Sequence, residues 1–195
     1  MKKDSIVQFI CFTTDLPFTE FITVWDFYAT QFTSSPSQLK LHEQFDSKSK
    51  FKYISQHERQ GKEFEFAFMK GRNAGHFPEH KAKVIQVGGY MAQQIEYANK
   101  TEKGLVKIIA FISHDENEIS FYNELQYRYL NIYQAWYESC MYAYVMEFFV
   151  DNDKAAGVLS QLKARDRAEV GFYKESCLPT TLKKVPHQLS GRHPV

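Results

Sequence analysis

The chain has 195 residues, of which 44% are hydrophobic and 24% charged, and its formal net charge is +1. Seventeen Phe, twelve Tyr and two Trp supply enough bulky apolar surface for a sizeable core, which excludes disorder and collagen-like repeats. The near-zero charge lacks the basic excess of a dedicated nucleic-acid binder.

The opening Met1-Lys2-Lys3-Asp4 is weakly basic like a signal n-region, but Gln8 breaks the apolar run that follows, and no small-residue cleavage site succeeds it. No apolar stretch approaches the roughly 20 residues of a membrane span. Cys11, Cys140 and Cys177 are odd in number and show no C-x-x-C spacing, so neither a disulfide framework nor a zinc site is indicated. Buried thiols in a reducing cytoplasm are the expectation.

Ile6 to Thr13 is short and apolar enough for a buried strand. Phe18, Phe21, Ile22, Trp25, Tyr28, Ala29 and Phe32 then recur at spacings of three and four, marking one face of a helix, with Asp15 and Pro17 suited to its start. The polar stretch from Ser34 to Lys50 reads as a long loop. Phe51, Tyr53 and Ser55 begin an alternation that resumes, past Gln60-Gly61, at Phe64, Phe66 and Phe68, which predicts a hairpin. Gly71 to Pro78 is loop chemistry, and Val84 to Tyr97 is a long strand whose Gly88-Gly89 pair predicts a bulge or a close backbone approach.

The second half echoes the first. Shifted by 99 positions, Ile6-Val-Gln-Phe-Ile-Cys-Phe12 overlies Leu105-Val-Lys-Ile-Ile-Ala-Phe111 with three identities, and Gln8 faces Lys107 at the one polar site. Each copy precedes a helix-like pattern, so a duplication is expected. Phe121 to Tyr137 fits both periods and is read as helix to about Tyr129 and strand beyond. Tyr142 to Val150 predicts a strand, Asp151-Asn152-Asp153 a capping cluster, Ala155, Val158, Leu159 and Leu162 a helix stripe, and Glu169 to Tyr173 a closing strand.

Strand, amphipathic helix, hairpin and strand, repeated, is the ferredoxin-like plan. The opening Ile6 to Phe32, with Phe21 and Trp25 on its helix, resembles the dimeric α/β-barrel superfamily, especially its EthD-like and antibiotic-biosynthesis-monooxygenase-like members. Tyr142 to Asp151, the following helix and Glu169 to Tyr173 resemble that superfamily's strand, helix and closing strand. The expected fold is therefore α+β: tandem ferredoxin-like modules, residues 1–100 and 101–180, forming an α/β barrel with antiparallel sheets, followed by a polar tail at 181–195. The resemblance implies a cavity between the modules and a homodimer.

Residue parity assigns faces to such strands. Val7, Phe9, Cys11 and Val106, Ile108, Ala110 are wholly apolar, as a helix-covered face should be. The other parity carries Gln8, Lys107, Gln86, Tyr90 and Glu147, with Glu63, Glu65 and Gln94. A buried charge alone is costly, so Glu147 and Lys107 should pair with each other, meet water or line a site. A structural ion pair competes with a functional one. Glu147, Lys107, His57 and Tyr90 are the candidate acid–base residues, and Gln8 and Gln86 candidate ligand-binding residues, with His57 at the cavity mouth.

The pair His76 and His80 is separated by Pro78, which argues against one helix face, and lacks the Glu of a zinc-hydrolase motif. No metal and no cofactor is called for, although a haem held by one of the histidines, His114 included, stays open. Glu63 to Gly71 is similar to the aromatic strand of an RNA-recognition motif without its basic and glycine pattern, so no nucleic-acid partner is expected. Two functional classes remain. One is a cofactor-independent monooxygenase or isomerase acting on a small apolar or aromatic ligand in the cavity; the other is a non-catalytic binding or assembly protein whose interior is filled by Phe and Tyr.

Overall fold

The structure is a computed structural model that describes residues 5–31, 38–45, 48–60, 83–93, 104–113, 129–136, 138, 140–164 and 168–176. Its elements are β1 (Ser5–Thr13), α1 (Phe18–Gln31), β2 (Gln38–Gln44), β3 (Tyr53–Gln60), β4 (Lys83–Gln93), β5 (Leu105–Ile112), β6 (Tyr129–Ala135), β7 (Tyr144–Asp151), α2 (Asn152–Lys163) and β8 (Ala168–Ser176). The strands close into one antiparallel barrel in the order β1-β3-β2-β8-β5-β7-β6-β4. Followed from β4, the circuit reads β4-β1-β3-β2 and then β8-β5-β7-β6. β1 and β5 therefore hold the same place in two runs of identical order. The runs join through β2 with β8, Leu41 opposite Ser176, and through β4 with β6, Tyr90 opposite Ala135.

Three apolar clusters follow from strand alternation. Val7, Phe9, Cys11, Ile54, Tyr90, Ile109, Phe111, Tyr133, Val145 and Tyr173 come from seven of the eight strands and pack together, which only the barrel interior allows. Ile10, Phe12, Leu41 and Tyr53 turn outward under Phe21 and Trp25 of α1. Ile108, Ala110, Ile112, Met146, Phe148, Val170 and Phe172 turn outward under Ala155, Leu159 and Leu162 of α2. Trp25, 1% exposed, also donates its indole N–H to Ser55 Oγ at 3.1 Å.

Several expectations are corrected. The partner of β3 across its hairpin is β2, formed inside the stretch read as a loop, with Leu41 opposite Ser55. Its sequence, QLKLHEQ, is polar at every second position, and His42 of that face looks into the barrel. The Pro17 carbonyl accepts the first helical bonds, from Glu20 and Phe21, so Asp15 stands ahead of the cap. Asp151 is the N-cap of α2 but makes no side-chain capping bond. Residues 129–135 are strand as expected; the helix expected before them and the second hairpin arm at 64–68 lie outside the described residues.

Both readings of Gly88-Gly89 hold. The β1–β4 register shifts between Phe9 and Ile10, opposite Gly88 and Gln86. Gly88 has φ +137°, and a Cβ there would lie 2.6 Å from Cys140 Sγ, so no L side chain fits. Among the described residues no helix is long and apolar enough to cross a membrane.

Candidate functional site

The polar side chains that alternate into the barrel gather around Glu147. His42 of β2, Gln56 of β3, Tyr133 of β6 and Glu147 of β7 are all buried, His42 completely. Lys107 of β5, whose side chain is 11% exposed, places Nζ 3.5 Å from Glu147 Oε1. Tyr133 Oη donates to Glu147 Oε2 at 2.9 Å, and Asn131 Nδ2 donates to the same oxygen at 3.2 Å. Gln56 Nε2 donates to Tyr133 Oη at 3.1 Å, while its Oε1 lies 3.0 Å from His42 Nε2. His42 Nε2 is in turn 3.8 Å from Glu147 Oε1, which closes the ring.

The protonation states follow from this arrangement. Burial pushes the Glu147 carboxyl up, but the Lys107 ammonium, with His42, Lys40 and the Tyr133 hydrogen bond, outweighs it and holds the group at about 2. Burial pushes His42 down and Lys107 pushes it further, against Glu147 and Gln56, to about 4. At neutral pH the site therefore contains a carboxylate, an ammonium and a neutral imidazole.

A fixed carboxylate orients every bond in the chain. Glu147 can only accept, so Tyr133 donates to it and receives from the Gln56 amide. The Gln56 carbonyl must then face His42, and a carbonyl accepts only from an N–H. His42 thus carries its proton on Nε2, which leaves Nδ1 with a lone pair. Among the described residues His42 Nδ1 and Glu147 Oε1 have no hydrogen-bond partner.

Of the residues singled out from sequence, the structure brings Glu147 and Lys107 together and gives Gln8, His57 and Tyr90 other partners. Gln8 shares the parity of Ile10 and Phe12 and pairs opposite His57 on the outward face. His57 is 3% exposed and bonds to Ser55 Oγ, beside the indole of Trp25. It belongs to the contact between barrel wall and α1, and the expectation that it sits at a cavity mouth is corrected. Tyr90 points inward, donates to the Tyr142 carbonyl at 3.1 Å, and is raised far above the ordinary phenol range, chiefly by burial. Gln86 pairs opposite Ile10 in β4, and its side chain lies outside the described residues, as do His76, His80, His114, Glu63, Glu65, Gln94 and Cys177.

Beyond the polar ring the interior is aromatic. Phe9 meets Tyr133, Tyr90 and Phe111 edge to face at centroid distances of 5.2, 5.6 and 6.3 Å. Phe51 packs on Phe111 at 5.1 Å, and the loop that carries it is fastened by Ser49 Oγ and Lys50 N, both donating to Glu169 Oε1. Among the described residues no group of three or more His, Cys, Asp or Glu is placed to hold a metal ion.

No family model and no curated protein matches the sequence. Among solved structures, an anthrone oxidase-like protein matches with a TM-score of 0.54 over 90% of this chain and 93% of that one, at 12% identity. The first two RRM domains of a yeast poly(U)-binding protein (TM-score 0.30, 11% identity, 85% of this chain and 98% of that one) and an aspartate kinase from Synechocystis (0.39, 8%, 87% and 43%) also match. Those two scores carry no argument. The first match shows likeness of fold alone.

Proposed function

We propose that this barrel is an oxidase- or monooxygenase-like enzyme that removes a proton from a small aromatic substrate by acid–base chemistry without a cofactor. The observation that carries the proposal is the buried His42–Gln56–Tyr133–Glu147 ring, which presents a neutral imidazole whose Nδ1 has no hydrogen-bond partner among the described residues, inside an aromatic interior. His42 Nδ1 takes the proton, and the Glu147 carboxylate, 3.8 Å from Nε2, stabilises the imidazolium that results. Lys107, ion-paired to that carboxylate, stabilises negative charge that develops on the substrate. The electron-rich anion then reduces dioxygen. For a benzylic ketone methylene the balance is CH2 plus O2 giving C=O plus H2O, with the two hydrogens leaving as water. The fold match to an anthrone oxidase-like protein supports anthrone as the first substrate to try. The repeated strand order supports reading 1–100 and 101–180 as tandem ferredoxin-like modules that build the barrel within one chain.

The test is anthrone in air-saturated buffer at pH 7, read by oxygen uptake and anthraquinone formation. Turnover should fall by about 10²-fold or more in His42→Asn and in Glu147→Gln, the range a positioned acid–base group supplies, with the far-UV circular dichroism retained. Turnover unchanged in both folded variants sinks the proposal. The dense Phe9, Tyr90, Phe111 and Tyr133 packing favours a second reading, in which the ring only satisfies polar groups in a closed core. On that reading the wild-type protein turns over nothing, and Glu147→Gln alters stability alone.

A further inference from the structure

We propose that the His42 end of the ring is a binding site for an aromatic ligand bearing an O–H or N–H donor, which it gives to His42 Nδ1. The inference rests on the proposed site but not on its catalysis. The His42 tautomer sets the polarity of the site. With Glu147 ionised, each hydrogen bond from Tyr133 through Gln56 to His42 has one possible direction, and the last donor is the Nε2–H. His42 is 0% exposed, and among the described residues its Nδ1 lacks a hydrogen-bond partner, as does Glu147 Oε1. Both atoms are acceptors. A ligand with neither an O–H or N–H donor nor an acidic C–H hydrogen leaves Nδ1 unpaired, because an acceptor placed against an acceptor satisfies neither, whereas Oε1 already faces the Lys107 ammonium at 3.5 Å.

The surroundings supply the rest of the specificity. The Phe9 ring lies against Tyr133, a member of the polar ring, and against Tyr90 and Phe111, so the apolar groups next to the polar ring are aromatic. The Lys107 side chain is 11% exposed, and its ammonium lies 5.4 Å from the Phe149 ring. On the proposed reading a ligand enters at that end of the barrel. The opposite end is closed by the Ser49–Phe51 loop, held by Glu169 and by Tyr173 Oη, which donates to the Phe51 carbonyl at 2.9 Å.

Wild-type protein labelled with 15N in its histidines tests this, without any variant that risks misfolding. At pH 7 the His42 ring should show the Nε2–H tautomer with Nδ1 unprotonated. Titration with phenol should shift the Nδ1 resonance saturably, in the direction of hydrogen-bond acceptance. Anisole has the same ring but no donor, and it should bind at least about tenfold more weakly, the penalty for leaving a buried acceptor unpaired. A proton found on Nδ1 at pH 7 overturns the proposal. So does an Nδ1 resonance unmoved by phenol, as when a tightly held water already satisfies it, or anisole binding as well as phenol. A protein that binds phenol in this way yet oxidises nothing refutes the catalytic reading and leaves this one standing.

Discussion

Replacing Lys107 by Met removes the ammonium that lies 3.5 Å from the fully buried Glu147 carboxylate. At an effective dielectric of about 20, Coulomb's law gives roughly 5 kcal/mol for unit charges at that distance. Breaking a buried pair by deleting one partner costs about 3–5 kcal/mol, because the remaining ion stays desolvated. Tyr133 and Asn131 still donate to the other carboxylate oxygen, so the lower half of that range is expected at pH 7. With a urea slope of about 2 kcal/mol per molar, the unfolding midpoint should fall by roughly 1.5–2 M. The double variant Lys107→Met, Glu147→Gln should be more stable than the single one, since the charge left uncompensated is then gone. Urea unfolding followed by circular dichroism measures all three differences. A single-variant loss under about 1 kcal/mol, the size typical of a surface pair, refutes the assignment of Lys107 as the counter-ion. So does a double variant whose loss is the simple sum of the two single losses.

Stability should also fall in two acid steps. His42 has a folded pKa of about 4 against 6.5, and Glu147 about 2 against 4.5. In each interval the unfolded chain binds more protons than the folded one, so stability is present above the upper value and lost as pH drops to the lower. Each step is on the order of 3 kcal/mol, and urea midpoints measured from pH 7 to pH 3 should lose the lower step in Glu147→Gln; a midpoint flat between pH 7 and pH 4 contradicts a neutral buried His42. Trp25→Ala should cost about 3–5 kcal/mol as a large-to-small core change, whereas Trp25→Phe should cost less, retaining most of the apolar contact and losing the bond to Ser55. Thermal melts separate the two, and a Trp25→Ala melting temperature equal to wild type removes α1 from the core.

How legible each strand is in the sequence depends on what it shows on its two faces. β1, β5 and β7 are apolar enough on both faces to stand out as continuous runs, and α1 carries a clear stripe. β2 is illegible for a physical reason: its outward Leu41 is followed by an inward His42 and flanked by Lys40 and Glu43, so its barrel-facing positions are the polar ones. The site is hidden with it. A polar ring contributed by β2, β3, β5, β6 and β7 has no spacing to read, because the residues meet only when the barrel closes.

Parity misleads for a different reason. Aligning Ile6–Phe12 with Leu105–Phe111 places Gln8 over Lys107 and makes the apolar parity the helix-covered one in both copies. In the barrel, Phe9 and Cys11 face inward together with Ile109 and Phe111, while Ile10 and Phe12 face outward as Ile108 and Ala110 do. Faces therefore correspond at an even offset, whereas an alignment shifted by 99 is odd. A slip of one residue exchanges the two faces of a strand, and in these strands both faces are apolar, so the pattern of Ile, Val, Phe and Ala holds no signal against the slip. Only the charged residue carries the information. Lys107 and Glu147 sit on adjacent antiparallel strands, with Ile109 directly opposite Glu147. Each needs the other once buried, and the cost of separating them follows from their charges and the apolar runs that hold them. Gln8 bears no charge, makes no such demand, and goes to the other side of the wall.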